Sequence, residues 1–63
     1  NLELIQTLQV YIEENGDMNE ISRRLNIHRN TLSYRLERIK QLTGKNPRNI
    51  LELFELLCGL AWK

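Results

Sequence analysis

Eight side chains able to hydrogen-bond with nucleic acid fall within eleven residues of this sequence: His28, Arg29, Asn30, Thr31, Ser33, Tyr34, Arg35 and Arg38. Arginine's planar fork can donate twice to guanine, and asparagine pairs with adenine. Serine and threonine serve bases or phosphates. Spacing decides whether such groups converge. At about 100° per residue, Leu32, Leu36 and Ile39 mark the inner face of a helix, with Asn30, Tyr34, Glu37 and Arg38 roughly opposite. Arg29 and Ser33 flank one side, Thr31 and Arg35 the other. His28, Arg29, Asn30 and Ser33 then form a polar first turn, and Arg35 and Arg38 are expected to reach phosphates further along. Singly, each has an ordinary alternative. His28 can cap the helix, Tyr34 can cover a neighbour, and the two arginines can pair with Glu37 or with other acids. Together, at the start of a helix that follows a sharp corner, they point to DNA.

Other chemistries find little support. The one histidine and the one cysteine, Cys58, fall on different elements. Asp17 and Glu20 are better read as a helix cap than as an acid–base pair. No glycine-rich phosphate loop and no ligand spacing for a metal is present. No enzymatic activity, metal or cofactor is expected. A lone cysteine cannot form an internal disulfide, and its place in an apolar run predicts a buried thiol. No apolar run approaches the ~20 residues of a membrane span. A free thiol and the lack of a signal peptide suit a cytoplasmic setting.

The stretch that must position the polar cluster runs from Asp17 to Leu42. It reads as a short helix, a corner at Leu25-Asn26-Ile27-His28 and a longer helix from about 28 to 42. Asparagine tolerates the left-handed backbone that such a corner needs. Met18, Ile21 and Leu25 share one face of the short helix, Ser22 allows close approach, and Ile27 can plug the angle between the two. This is the layout of a helix-turn-helix, whose second helix enters the major groove. A preceding helix is expected over 2–15, with Ile5, Leu8 and Ile12 on its apolar stripe, widened by Leu4 and Tyr11. Gly16 should end it. Asp17, with Glu20 three residues on, predicts a capping box. Gly44 should stop the third helix, and Asn46-Pro47 should open a fourth that runs to about Trp62.

That fourth helix is apolar round most of its circumference. From Ile50 to Trp62, ten of thirteen residues are apolar. One stripe holds Ile50, Phe54, Leu57 and Ala61, and a second holds Leu53, Leu56 and Leu60. A domain of 63 residues can bury only one of them. Leu53, Leu56 and Leu60 are therefore read as an interface. It would meet either a second copy of the chain, as a homodimer, or the missing part of a longer protein.

Charge is segregated. Between Ile21 and Arg48, eight basic residues face only Glu37, a net +7. The rest of the chain holds one base against seven acids, a net −6. A basic block between acidic ends suits a polyanion on one face.

The run HRNTLSYRL over residues 28–36, followed by Arg38-Ile39 and by Leu42-Thr43-Gly44, resembles a family signature, HRNTLxYRLxRIxxLTG. It is that of the C-terminal helix-turn-helix of PucR/CdaR-type bacterial transcriptional regulators. Asn15-Gly16-Asp17 and Arg23-Arg24-Leu25 are also similar to it, and Ile21 departs from the family's usual alanine. A more distant similarity is to the C-terminal helix-turn-helix of Fis. The resemblance implies binding to promoter DNA under control of an upstream sensor region, with His28, Arg29 and Thr31 in the groove. The chain is thus expected to be one all-α, Fis-like domain of four helices over residues 1–63, part of a longer regulator that binds double-stranded promoter DNA. The competing reading is a helical protein-interaction or dimerisation module whose basic face meets an acidic protein.

Overall fold

Residues with left-handed or capping backbone divide the polypeptide into its helices. The computed structural model describes residues 2–59. They form α1 (Leu2–Glu13), α2 (Met18–Leu25), α3 (Arg29–Thr43) and α4 (Ile50–Leu57), with no strand among the described residues. Asn15 and Gly16 both take positive φ after α1. Asp17 then caps α2, its carboxylate accepting from the N–H groups of Asn19 (3.1 Å) and Glu20 (3.2 Å). The reciprocal half of a capping box is not made. Glu20 pairs with Arg23 instead, and the Asp17 N–H donates to the Glu14 carbonyl.

The corner takes the expected form. Asn26 sits at φ 55°, ψ 47° and donates its N–H back to α2. Ile27 donates to the Ser22 carbonyl at 3.0 Å and packs against the core. Ser22 is buried and returns its hydroxyl to the Met18 carbonyl at 2.7 Å. At the far end of α3, Gly44 (φ 75°) donates to the Lys40 carbonyl.

The core consists of Leu4 and Leu8 from α1, Ile21 from α2, Leu32, Leu36 and Ile39 from α3, and Leu56 from α4. Ile21, Leu32 and Ile39 are completely enclosed, so the bulk at position 21 is absorbed where α2 meets α3. On α1 the inner stripe is Leu4, Thr7 and Leu8, with Tyr11 and Ile12 half-buried. Ile5, expected in that stripe, lies on the exposed side. Thr7 takes a core position because its hydroxyl donates to the Glu3 carbonyl at 2.7 Å, which satisfies it without water.

The fourth helix departs most from expectation. It starts at Ile50 rather than Pro47. Its cap is Asn49, whose side chain accepts from Leu51 and Glu52. Asn46 serves the preceding turn: its side-chain oxygen accepts the Arg48 N–H at 3.0 Å. Pro47 is buried beneath that turn. The helix ends at Leu57, with Gly59 at φ 75°; the expected continuation to Trp62 lies outside the described residues. Cys58 caps the end and is exposed, not buried.

The interface stripe also has to be corrected. Leu56 is part of the core, and Leu53 packs against it, so these two attach α4 to its own domain. Leu60 lies outside the described residues. The apolar side chains that face solvent are instead Ile50 (81% exposed), Leu51 (75%), Phe54 (63%) and Leu57 (52%). The helix follows directly on the buried Pro47 turn and buries only one stripe.

With so few enclosed side chains, each one matters. Leu32→Ala should destabilise the domain by about 2–5 kcal/mol, a large part of what so small a core supplies. Thermal unfolding followed by circular dichroism checks this, and an unchanged melting temperature would contradict the placement of Leu32 at the centre.

Candidate nucleic-acid interface

His28 stands at the N-cap of α3 in extended backbone, and its Nδ1 accepts the Asn30 N–H at 3.1 Å. An accepting Nδ1 carries no proton, so the neutral ring bears its proton on Nε2. The residue that caps the helix therefore also offers an N–H donor at its exposed end. Arg29, Asn30, Thr31, Ser33, Tyr34 and Arg38 are all exposed. The inner positions of α3 are held by Leu32, Leu36 and Ile39. This fixes the helix's rotation and turns the polar side chains away from the protein.

Arg35 behaves differently from its expected role as a phosphate contact. It is half-buried along α1, where Nη1 lies 3.3 Å from Thr7 Oγ1 and Nη2 lies 3.5 Å from Glu3 Oε2. Its helical position, on the flank facing α1, makes it a brace between α1 and α3. The acid-pairing alternative open to it in the sequence is the one realised, with Glu3 rather than Glu37.

The basic block is similarly sorted by pairing. Arg24 bridges Glu13 and Glu14, each at 2.9 Å. The hydrogen bond to Glu13, followed by that to Glu14, raises its pKa above the ordinary guanidinium value. Arg23 is raised likewise by its hydrogen bond to Glu20. Lys45 pairs with Glu55 at 3.0 Å. With Arg35, four of the eight cations thus face carboxylates drawn from the acidic parts of the chain.

Among the described residues, Arg29, Arg38, Lys40 and Arg48 form no salt bridge, and all four are exposed. Three lie on α3. The fourth, Arg48, follows the α3–α4 turn and reaches back until its Nη2 is 3.5 Å from Ser33 Oγ. Neither Lys40 nor Arg48 belongs to the polar cluster that the sequence marks. Lys40 could have been found by extending the helical wheel past Arg38. The fifteen-residue separation of Arg48 from Ser33 carries no local signal.

Asn30, Ser33, Tyr34, Glu37 and Arg48 border an open groove of about 570 Å³ beside α3. An open groove of mixed polarity suits a hydrogen-bonding polymer better than an apolar ligand. The described residues contain no cluster of metal-ligating side chains. No described helix is long and apolar enough to cross a membrane.

Comparison with known proteins agrees with this geometry. Residues 4–62 match the PucR C-terminal helix-turn-helix domain. Three curated bacterial relatives carry the same segment. The DNA-binding transcriptional activator AdeR of Bacillus subtilis is 40% identical over 53 residues, 84% of this chain and 13% of AdeR. The purine catabolism regulatory protein of the same organism is 46% identical over 46 residues, covering 73% of this chain and 9% of that protein. The transcriptional activator PmfR of Paenarthrobacter nicotinovorans is 46% identical over 60 residues, 94% of this chain and 13% of PmfR. The chain therefore spans only about a tenth of the length of these relatives. No solved structure matches it significantly. On the match over nearly its whole length, and on the corner and helix that carry the motif, this chain belongs to the PucR C-terminal helix-turn-helix family.

Proposed function

We propose that this domain binds double-stranded DNA in a sequence-dependent way, with α3 in the major groove, as the promoter-reading part of a bacterial transcriptional regulator. The observation that carries the reading is the distribution of unpaired charge. The four described cations without a carboxylate lie on α3 or against it. A protein-interaction module with a generally basic surface would have no reason to concentrate them on the flanks of a polar helix. The likeness to AdeR, a DNA-binding transcriptional activator, supports the same reading.

The residues divide by what they can reach. Arg29, Asn30 and the Nε2–H of His28 form the first turn, which is the part of a recognition helix that meets base edges. Thr31 and Ser33 flank it and suit bases or phosphates. Tyr34 and Arg38 extend the surface along the groove wall, and Arg38 supplies charge. No catalysis is part of this function, and regulation would act by occupancy of the site.

A second copy completes the reading. One recognition helix covers only a few base pairs, and such proteins commonly place two of them about one turn, ~34 Å, apart. The outer face of α4 supplies a self-complementary surface. Ile50, Phe54 and Leu57 recur at helical spacing along it, and Leu51 widens it. A twofold contact would bring each apolar residue against the same set on its partner.

Two measurements test these claims. Arg29→Ala should weaken binding to the preferred duplex by about 1–3 kcal/mol and relax preference at one base position. A selection from random duplexes followed by competition binding reads both effects. Equal losses on preferred and random DNA would make Arg29 a phosphate contact. For the pair, Ile50→Glu with Phe54→Glu should give a folded monomer with weaker DNA binding. Sedimentation decides it, and an unsubstituted chain that stays monomeric at high concentration would refute the twofold contact.

A further inference from the structure

The residue next to α3 that comes from outside it offers the strongest unexplained feature. We infer that Arg48, carried on the α3–α4 turn, is a second anchor for the DNA backbone, holding a phosphate along the flank of α3 marked by Arg29 and Ser33. The inference rests on the DNA-binding reading and extends it to an element outside the helix-turn-helix.

Three observations carry it. The first is placement. Arg48 Nη2 lies 3.5 Å from Ser33 Oγ, at the outer limit of a hydrogen bond, and both residues border the groove beside α3. By helical register, Arg29, Ser33 and Lys40 share this flank of α3, whereas Thr31 and Arg35 share the other. Without Arg48, the middle of the first flank would present only the neutral Ser33 to a polyanion, with the acidic Glu37 beside it on the outward face.

The second observation is availability. Lys45, three residues earlier, is occupied by Glu55 at 3.0 Å. Arg48 has no carboxylate within salt-bridge distance among the described residues and is exposed. Its contact with Ser33 is long and neutral, so a phosphate oxygen can replace it or be added to it. A guanidinium can keep one N–H on a hydroxyl and turn others to an anion.

The third is rigidity. The backbone that carries Arg48 is over-determined for a loop. The Arg48 N–H donates to Asn46 Oδ1 at 3.0 Å, and the Asn49 N–H to the Asn46 carbonyl at 2.9 Å. The Asn46 N–H donates to Glu52 Oε1 at 2.5 Å. Pro47 between them is buried. A mobile loop would lose conformational freedom on gripping DNA. This one has largely lost it on folding, so an arginine placed here binds with less ordering cost.

A phosphate contact has a signature distinct from a base contact. It weakens binding alike on all sequences and lowers the salt slope by about one unit. Binding of the chain to a mixed-sequence duplex, and to the duplex recovered by selection, is measured across salt for the unsubstituted protein, Arg48→Gln and Arg48→Lys. Arg48→Gln should weaken both duplexes by the same factor. Because each phosphate contributes ~0.9 to the slope, its affinity should fall about 3-fold less than that of the unsubstituted chain between 50 and 200 mM salt. Arg48→Lys should restore most of the slope. Circular dichroism should be unchanged in both, since the side chain is exposed. An unchanged slope in Arg48→Gln, with the unsubstituted chain binding DNA normally, would overturn the anchor and leave the DNA-binding reading standing. A loss confined to the selected duplex would also overturn it, by making Arg48 a reader of bases. No binding of either duplex by the unsubstituted chain at low salt would overturn both readings together.

Discussion

The junction of α2 with α3 is the constraint on which the remainder depends. Ile21 and Leu32, one from each helix, are fully enclosed, and they can be so only if the chain reverses tightly between them. Asn26 supplies the reversal by taking left-handed backbone, which costs a β-branched or bulky residue far more. Ile27 then fills the angle. Once those side chains are enclosed, the rotation of α3 about its axis is fixed. Its polar positions face outward as a consequence of packing, with no need for an interaction that holds them there.

Charge organisation follows from the same packing. The helices bring Glu3 and Glu13 of α1, and Glu14 just after it, against α2 and α3, so that Arg24 meets Glu13 and Glu14 while Arg35 meets Glu3. Exposed ion pairs of this kind add little stability. Their larger effect is on where unneutralised charge remains. A surface that was basic along a whole segment of sequence becomes basic mainly beside one helix. That concentration raises the local potential felt by a polyanion and orients its approach.

The fourth helix shows how a small core imposes choices. Its attachment uses Leu56, with Leu53 packed beside it, and the turn at Pro47 sets the direction from which it arrives. The opposite apolar face then has nowhere to go within the domain. Ile50, Leu51, Phe54 and Leu57 are left facing solvent as a result. The same turn that directs α4 inward also carries Arg48 toward α3. One rigid loop thus links the exposed apolar face of α4 with the polar side of α3.

Much of this was legible in the amino-acid order because it rests on local geometry. Asp17 as a cap, Asn26 as a corner, Gly44 as a stop and the Leu32, Leu36 and Ile39 stripe each follow from what neighbouring residues can do within one or two helical turns. The family resemblance was equally visible, because the motif residues are contiguous. What only the tertiary structure decided are questions of competition and of distant approach. Asn46 and Asn49 could each have capped α4, and the buried Pro47 turn gave that role to Asn49. Two apolar stripes were available on α4, and only packing against the core chose Leu53 and Leu56 for the inside. Arg35 had both solvent and acids in reach, and the placement of α1 gave it Glu3 and Thr7. Arg48 came to Ser33 across fifteen residues. Periodicity reports which residues share a face of one helix; it carries no information about which other element that face will meet.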